Sequence, residues 1–468
     1  MTRWISGALL LAGAAALFPD PAWAQQAALT PEAFLHGVPT GTKQSTPLPL
    51  SLADAIARGL EHNLVVLEQE QRVTAADGGR QKAVSTTLPT VNGHLTEVRE
   101  EVSLAAFGFT SLPGLLLPPV LGPFNVFDAR LSASYALLDT SARADVRRDT
   151  ALLHAEQHTL KNTRELVILA VANLYVETLA DASRVENARA DVAMADTLMT
   201  LATDQHAAGV AAGIDVLRQH VQLESTRQKL IAVENELAKQ KLRLARAIGL
   251  PPGQTFDLTD PLIFRASPPL DAETALAQAY AQREDVRSAE ARVTAAEADR
   301  ASAAGLGHPT LRLDGDFGAI GASPSTADHT YTLAANLRVP IFNGGNVKGK
   351  VTQADADRRR RQAELDDLKA GVSYDVEAAL LDLHAAESAV AVATSGRDLA
   401  AEQLTQARDR FSAGVADTIA VVQAQDALSA ASDRYIAALY AHALAKGGLA
   451  RAIGANEQAF AAFLGGRQ

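Results

Sequence analysis

The chain has 468 residues, 47% of them hydrophobic, with a formal net charge of −11 at pH 7 and no cysteine. The lack of cysteine excludes disulfides, thiol catalysis and a lipid anchor on an N-terminal cysteine. The acidic balance argues against a protein that wraps nucleic acid, so we expect no nucleic-acid partner.

The first residues, 1–24, have the pattern of a cleavable export signal. Arg3 supplies a positive start, Ala8 to Phe18 is a short apolar stretch, and Ala22-Trp23-Ala24 is a small-x-small cleavage site. We expect cleavage after Ala24, followed by an N-terminal linker over residues 25–50. Beyond residue 24 no unbroken apolar run reaches the roughly 18–20 residues of a membrane helix. If the mature chain crosses a membrane, it must do so with strands.

A helix is predicted after the linker. Ser51 is suited to cap a helix that opens with Leu52-Ala53-Asp54-Ala55-Ile56 and continues to about Val84. Pro89 then ends it, because proline does not continue a helix.

Four segments then alternate between apolar and polar residues, two in each half of the chain. They cover residues 90–102, 127–138, 310–318 and 329–341. Such alternation places one face of a strand in an apolar medium and the other in water, and the lengths approach the roughly 9–11 residues of a tilted barrel strand. The lipid-facing set is predicted to be Leu131, Ala133, Tyr135, Leu333, Leu337 and Val339. The lumen-facing set is predicted to be Arg130, Ser132, Asn336 and Arg338.

Loops join the strands of each pair. The first loop is predicted over residues 103–128, because Pro118 and Pro119 disfavour a regular strand there. Its counterpart in the second half, residues 319–328, is shorter.

A long helical hairpin is predicted after each strand pair, over residues 141–249 and 343–454. Residues 141–207 contain neither proline nor glycine, and at 1.5 Å per residue such a helix would be about 100 Å long. Asn343 is the expected cap of the second hairpin. Long helices of this kind are expected to pack side by side.

The two hairpins are copies of one another. Gly209 to Gly249 recurs as Gly414 to Gly454 with a shift of 205 residues and no gap. Repeats this long are not solenoid units and indicate a pseudo-symmetric assembly. The predicted organisation is therefore repeat 1 over 51–250, a linker over 251–269, repeat 2 over 270–455 and a C-terminal tail over 456–468.

The sequence shows no catalytic, cofactor or metal site. His154 and His158 share a helix face, but the glutamate spacing of a zinc protease and a third ligand are missing. Asn343-Gly344-Gly345 lacks the lysine and spacing of a phosphate loop. We therefore expect a protein that is not an enzyme and has no cofactor.

Four strands per chain cannot close a barrel, and open sheet edges are not tolerated in lipid. The smallest bacterial barrels have about eight strands, so closure requires several copies of the chain. Two copies would supply eight strands and three would supply twelve.

Four motifs carry a resemblance to a known family. They are Leu52-Ala53-Asp54-Ala55-Ile56 with Asn63, Gly122-Pro123-Phe124-Asn125, Val339-Pro340-Ile341-Phe342-Asn343-Gly344-Gly345, and the Gly-Val pairs at 209 and 414. Together with the element order they resemble the TolC family of outer-membrane efflux proteins, over about residues 50–455. The resemblance implies a mainly α fold with a β-barrel portion. A homotrimer would complete a twelve-stranded transmembrane barrel continuous with a periplasmic tunnel of helical hairpins.

The resemblance also implies a function. The chain would be an outer-membrane channel, extending into the periplasm, that passively conducts what an inner-membrane pump and a periplasmic adaptor protein deliver. Many relatives carry a lipidated cysteine, which this chain cannot. The cargo and the class of pump are not encoded in any pattern that we can interpret.

The hairpin ends are the predicted docking site for the adaptor. Glycine permits a tight reversal and the close approach of another backbone, although a simple turn explains it equally well. The docking residues implied by the family are Gly209, Val210, Ala211, Gly414, Val415 and Ala416.

The same ends contain two candidates for a periplasmic gate, Asp215 and Asp417. Aligned on the glycines, Asp215 matches an aspartate that rings the opening in the best-known member of the family. Ala420 and Gln423 stand where that relative has its inner acidic rings, and Asp417 is near but does not align. Either aspartate could instead cap a helix.

Two rival functions remain open at this stage. A periplasmic adaptor would have one long hairpin rather than two, together with a β-rich domain. A coiled-coil scaffold would explain the helices but not the four alternating strands.

Overall fold

A computed structural model describes residues 34–107, 118–413, 415 and 418–455. The predicted export signal and the C-terminal tail lie outside the described residues. The helices are α1 (Leu52–His62), α2 (Leu64–Ser85), α3 (Thr140–Ala207), α4 (Gly213–Ala247), α5 (Ala272–Gln282), α6 (Glu284–Gly305), α7 (Asn346–Ser412) and α8 (Thr418–Ala452). The strands are β1 (Leu48–Leu50), β2 (Thr90–Ser103), β3 (Val120–Leu138), β4 (Phe256–Leu258), β5 (Thr310–Gly321) and β6 (Asp328–Arg338).

The first helical segment is two helices rather than the single one predicted. Ser51 caps α1 as expected, with its hydroxyl accepting from the Asp54 amide and the Asp54 carboxylate accepting from the Ser51 amide. The helix then breaks at Asn63, which is fully buried and extended in backbone conformation. The Asn63 side chain caps α2 through the Val65 amide and donates to the Phe34 carbonyl at 2.7 Å. These tertiary bonds, which helix propensity cannot anticipate, explain the break.

Four strands form one antiparallel sheet in the order β2-β3-β5-β6. The second of them begins earlier than predicted, at Val120 rather than at residue 127, so part of the predicted loop 103–128 is paired strand. The Gly122-Pro123 pair lies where two residues of β3 oppose the single residue Glu101 of β2. A bulge leaves one residue unpaired, and strand proline is tolerated there because it need not donate to the ladder.

The second strand pair differs from the prediction at its ends. β5 continues to Gly321 rather than 318, which shortens the predicted 319–328 loop to residues 322–327. β6 ends at Arg338 rather than 341. The early end is explained by Pro340, which has no amide proton and restricts the residue before it.

The start of the second hairpin also differs from the prediction. α7 begins at Asn346 and its cap position is Gly345, so Asn343 is not the cap. Both Gly344 and Gly345 have positive φ angles, 61° and 84°. Glycine adopts this left-handed backbone without a steric penalty, so the turn extends beyond Asn343 before the helix starts.

Two segments predicted only as linkers pair with each other. β1 and β4 form a small parallel sheet in which Leu50 is fully buried. The Tyr175 hydroxyl of α3 donates to the Leu50 carbonyl at 2.9 Å and to Asp260 at 2.8 Å. The main hydrophobic core surrounds this sheet, where α1, α3, α4, α7 and α8 meet.

The long helices pack as a ribbon that follows the order of the sheet. α3 packs against α2, α4, α6 and α8, whereas α7 packs against α6 and α8. The lateral order is therefore α2 and α4, then α3, then α6 and α8, then α7. One repeat comprises α1 to α4 with β2 and β3, and the other comprises α5 to α8 with β5 and β6. The mainly helical fold with two repeats is confirmed.

α3 runs for 68 residues, about 100 Å, as the sequence suggested. Among the described helices it alone contains an 18-residue stretch apolar enough to span a membrane, with mean hydropathy 1.5. However, 61% of that stretch is buried inside the chain. The apolar character of this stretch is explained by its burial in the core, where α3 packs against other helices.

Candidate functional site: the two-faced sheet and the hairpin ends

Polar side chains collect on one face of the four-stranded sheet. Arg130 donates to Asp316 at 2.9 Å and to Asp128 at 2.8 Å. Asp314 accepts from Ser134 at 2.6 Å and from Asn336 at 2.8 Å. These contacts link β3, β5 and β6 on one face, because residues of equal parity share a face and the register aligns them.

Large apolar side chains occupy the opposite face and are exposed in the described structure. The exposed fraction is 59% for Leu131, 82% for Leu333 and 65% for Leu337. Val339, predicted as part of this set, lies just beyond the end of β6. Monomeric soluble proteins rarely leave so continuous an apolar surface open. The sheet therefore separates the two residue sets that the sequence assigned to lipid and lumen.

The first hairpin end is a tight reversal with an exposed tip. Gly209 has a φ angle of 76°, and nothing lies within 4 Å of a side chain built there. Val210 is 77% exposed. Ala211 is half-buried, and its carbonyl lies 2.9 Å from Nδ1 of His206. The predicted docking residues of this hairpin therefore lie together, with Gly209 and Val210 exposed and Ala211 half-buried.

The second hairpin end is described only in part. Val415 is 69% exposed, which parallels Val210. The other predicted residues of this end, Gly414, Ala416 and Asp417, lie outside the described residues. For these the assignments remain predictions.

Asp215 lies in the first turn of α4, but its side chain does not cap the helix. The cap position is Ala212, which has no side-chain bond to the helix. The Asp215 carboxylate instead forms an ion pair with Arg218 at 2.9 Å. A charge near the tip is thus partly neutralised by its own helix.

His158 lies at a contact between two helices and not on an open helix face. Its Nδ1 lies 2.5 Å from Glu284, at the contact between α3 and α6. Within the described residues, no group of three His, Cys, Asp or Glu side chains is placed to hold a metal ion.

One buried charged cluster was not anticipated from the sequence. Arg451, near the end of α8, donates to Glu165 of α3 at 2.9 Å and to Asp285 of α6 at 3.4 Å. Burial raises the pKa of Glu165 to about 7 despite the adjacent guanidinium. Arg451 belongs to the repeated hairpin segment, so the sequence shows that this arginine recurs. Its partners come from distant parts of the chain, so the sequence does not show the cluster.

Comparison with known proteins decides the family. The family model described as outer membrane efflux protein matches residues 55–250 and 275–455. The chain belongs to the outer membrane efflux protein family. The resemblance to the TolC family is thereby confirmed, and members of this family are outer-membrane channels rather than enzymes.

Curated relatives of the outer membrane efflux protein family cover most of the chain. The pyoverdine export outer membrane protein OpmQ of Pseudomonas aeruginosa is 28% identical, over 71% of this chain and 70% of the relative. The outer membrane protein TolC of Vibrio cholerae is 25% identical, over 69% of this chain and 73% of the relative.

Solved structures of outer-membrane proteins share the fold. The outer-membrane channel OprN superposes with a TM-score of 0.73 at 19% identity, covering 89% of this chain and 98% of OprN. VceC from Vibrio cholerae superposes with a TM-score of 0.74 at 19% identity, covering 86% of this chain and 96% of VceC. The chain thus has the fold of an outer-membrane channel protomer.

Proposed function

We propose that the chain is the outer-membrane duct of a tripartite efflux system. It would conduct passively what an inner-membrane pump and a periplasmic adaptor deliver. The observation that carries the proposal is the unbroken ribbon, in which a two-faced sheet continues into two long hairpins in the same lateral order. A sheet with one apolar and one polar face suits a barrel wall between lipid and an aqueous lumen.

Closure of the duct by three copies is part of the proposal. Within the described part of one chain β2 and β6 each have an unpaired edge, and the helical ribbon ends in α2 and α4 on one side and α7 on the other. A barrel in lipid cannot keep open edges. Both edges are covered when β6 of one copy pairs with β2 of the next copy and α7 packs against α4 of that copy. Family membership favours three copies over two.

The internal repeat indicates which residues would meet between copies. Within the chain α3 packs on α8, with Asn187 bonded to Asp433 and Asp191 bonded to Ser429. Adding 205 to the residue numbers of α3 gives those of α7, and subtracting 205 from the residue numbers of α8 gives those of α4. The same register then sets α7 of one copy beside α4 of its neighbour.

Exposed apolar residues lie at matching levels in that register. Leu399 of α7 would lie level with Leu217 and Val221 of the neighbouring α4, and these are 63%, 57% and 63% exposed in one chain. Tyr374 would lie within a turn or so of Leu242, and both are also exposed. Burial of such pairs would supply the association free energy at about 25 cal/mol per Å² of apolar surface.

The rival functions are not favoured. An adaptor has one hairpin, whereas this chain has two. A coiled-coil scaffold gives no reason for a sheet whose apolar face is exposed. We therefore retain the proposal that the chain is an outer-membrane duct.

The cargo is expected to be set by the pump rather than by the duct. Related proteins are named for different cargoes, as in pyoverdine export for OpmQ and toluene efflux for TtgF of Pseudomonas putida. Identification of the pump that co-purifies with this chain would therefore define what it exports.

We also propose that the tip carries only a modest acidic ring. Threefold symmetry would repeat Asp215 three times, and like charges held close attract cations. The ion pair with Arg218 would weaken that field. Cation preference should therefore rise in Arg218→Ala and fall in Asp215→Ala, measured as reversal potentials in planar bilayers. Identical reversal potentials in both variants and wild type would remove Asp215 from the gate.

The duct proposal is tested by mass and conductance together. The mature protein should fractionate with outer membranes, give a trimer mass by light scattering corrected for detergent, and form channels in planar bilayers. A monomer or dimer mass, or a trimer that never conducts, would contradict the proposal.

A further inference from the structure

One segment between the two repeats is held by a lysine from each hairpin. We name it the strap and define it as residues 256–267, which lie between the first hairpin and α5. Lys241 of α4 donates to the Phe256 carbonyl at 3.1 Å. Lys446 of α8 donates to the Arg265 carbonyl at 3.4 Å. The two lysines are counterparts under the 205-residue shift, so the strap fastens the first hairpin to the second.

The second half of the strap packs on α7 and α8. The Phe264 ring lies 4.8 Å from the His442 ring, measured between centroids. The Ser267 amide donates to the Glu387 carboxylate at 3.3 Å. Leu262 packs against a small apolar cluster shared by the two helices. The members of this cluster are Val390, Ala438 and Leu439.

Two polar atoms are buried without partners where the strap meets these helices. His442 is 3% exposed, and its Nε2 has no hydrogen-bond partner among the described residues. The Ser267 hydroxyl also has none in this part of the chain. Burial of a polar atom without a partner is costly. The first hairpin has Leu237 at the position of His442 and Ala182 at that of Glu387, so a hairpin of this kind folds without the polar pair.

Charged side chains surround the His442 imidazole on three elements. The Glu387 carboxylate of α7 lies 3.9 Å from Nε2. Lys446 of α8 supplies a positive charge, and Arg265 of the strap lies close to Lys446. Burial lowers the pKa of His442, Lys446 lowers it further, and Glu387 opposes them only in part. The imidazole is therefore neutral at about pH 7.

We propose that the second half of the strap is released from α7 and α8 when His442 gains a proton. The imidazolium has a donor on each ring nitrogen, and the Glu387 carboxylate is the acceptor within reach. A carboxylate that turns toward His442 leaves the Ser267 amide without its partner. The new charge also faces Lys446, so exposure to water lowers its cost.

Release makes the fastening between the two hairpins depend on pH. Lys241 keeps the first half of the strap on the first hairpin, because no histidine is among its printed contacts there. Release needs no assembled duct, since all of these groups belong to one chain.

The direction of the pH dependence follows from the buried, neutral imidazole. With the strap released, the pKa of His442 returns to its ordinary value of about 6.5. The docked strap binds this proton less tightly, so docking is strongest above about pH 6.5 and weakens as the pH falls. The buried Glu165 carboxyl acts in the opposite sense, because its raised pKa stabilises the folded chain at low pH.

Hydrogen exchange of the full-length protein in detergent tests the release. Amide protection at residues 262–267, corrected for the intrinsic effect of pH, should fall about tenfold between about pH 8 and pH 5. Protection of β4 should change little, because Lys241 and β1 hold that strand. Equal loss of protection in β4 and in residues 262–267 would overturn the selective release.

His442→Leu introduces the residue that the first hairpin has at this position. The strap of this variant should stay protected at both pH values. His220→Leu is the control, since this histidine is 56% exposed on α4, and its strap should lose protection as in wild type. A fall of the same size in His442→Leu and wild type would overturn the proposal. A wild-type strap whose protection does not change with pH would also overturn it.

Glu387→Gln tests the exchange of partners. A glutamine still accepts from the Ser267 amide, but it stabilises an imidazolium less than a carboxylate does. The loss of protection should therefore shift to lower pH in this variant, while protection at the higher pH stays close to that of wild type. A midpoint that is unchanged or higher would overturn the role of Glu387 in the release.

Discussion

Individual residues of the sheet decide which face is apolar and which is polar. Leu333 and Asn336 lie three positions apart on β6, yet Asn336 bonds to Asp314 on the polar face and Leu333 is open on the apolar face. Because side chains alternate along a strand, an odd spacing always separates the faces.

Leu333→Arg should impair assembly much more than Asn336→Arg. A charge on the lipid face near the middle of the bilayer costs about 2–4 kcal/mol, whereas the polar face can hydrate it. The yield of assembled trimer on semi-native gels measures the difference. Equal yields from the two variants would show that the faces are wrongly assigned.

Glu165 should make stability depend on pH. Burial raises its pKa from 4.5 to about 7, so the folded chain binds this proton more tightly than the unfolded chain. The resulting stabilisation is complete below about pH 4.5 and is lost as the pH rises through about 7. The melting temperature in detergent should therefore fall between pH 5 and pH 8, and Glu165→Gln should reduce that fall.

Glu234→Gln is the control for this pH effect. Glu234 also pairs with an arginine, but its side chain is 43% exposed. It should leave the pH profile of the melting temperature unchanged. Parallel profiles for wild type and Glu165→Gln would show that this carboxyl does not control the pH dependence.

At the scale of elements, the hairpin ends present a short exposed surface on long helices. Val210 and Val415 occupy equivalent positions in the two hairpins and are similarly exposed. Their position at the far end from the sheet suits a contact with a periplasmic partner, and the docking role is a proposal.

Gly209→Trp should abolish efflux while trimer and barrel remain intact. The side chain would project from the tip where nothing lies within 4 Å, so it would obstruct a partner rather than the fold. A resistance assay with the cognate pump and adaptor measures the effect. Because Gly209 has positive φ, part of any effect could come from strain.

Gly41→Trp controls for that strain. Gly41 has a φ angle of 87° and is also open within 4 Å, but it lies in the N-terminal segment far from the hairpin ends in sequence. Normal efflux in Gly209→Trp, or equal loss in both variants, would leave Gly209 as a turn former only.

At the scale of the whole molecule, the described part of one chain leaves both edges of the ribbon open. Its two open edges carry exposed apolar side chains at matching levels of α4 and α7. A homotrimer would bury both edges of every copy.

Leu217→Asp should weaken the trimer, since it would place a carboxylate against Leu399 of the neighbouring copy. Burying an unpaired charge in an apolar contact is costly, and each trimer would contain three such contacts. Light scattering at decreasing protein concentration measures dissociation. Glu236→Asp, on an exposed face of α4, is the control and should dissociate like wild type, whereas equal dissociation of Leu217→Asp and wild type would place the seam elsewhere.

The sequence by itself determined the features that are encoded within a few neighbouring residues. Period-two alternation identified all four strands of the large sheet, because a side chain's face depends on local geometry alone. A stretch without proline or glycine identified α3, and the 205-residue repeat identified two halves and with them the second long helix, α7. The exposed turn at Gly209 and Val210 followed from glycine chemistry.

Only the tertiary structure decided what distant segments do to each other. The first helical segment breaks at Asn63, whose side-chain amide donates to the Phe34 carbonyl. Strands β1 and β4 pair with each other, although both lie in segments predicted as linkers. The tertiary structure also assembled the charged cluster at Arg451, and it placed Lys229 of α4 3.0 Å from Asp433 of α8, 204 positions away in the sequence. A lysine and an aspartate on long polar helices have the same local pattern whether they are solvated or paired, so their partnership emerges only when packing sets the register of one helix against another.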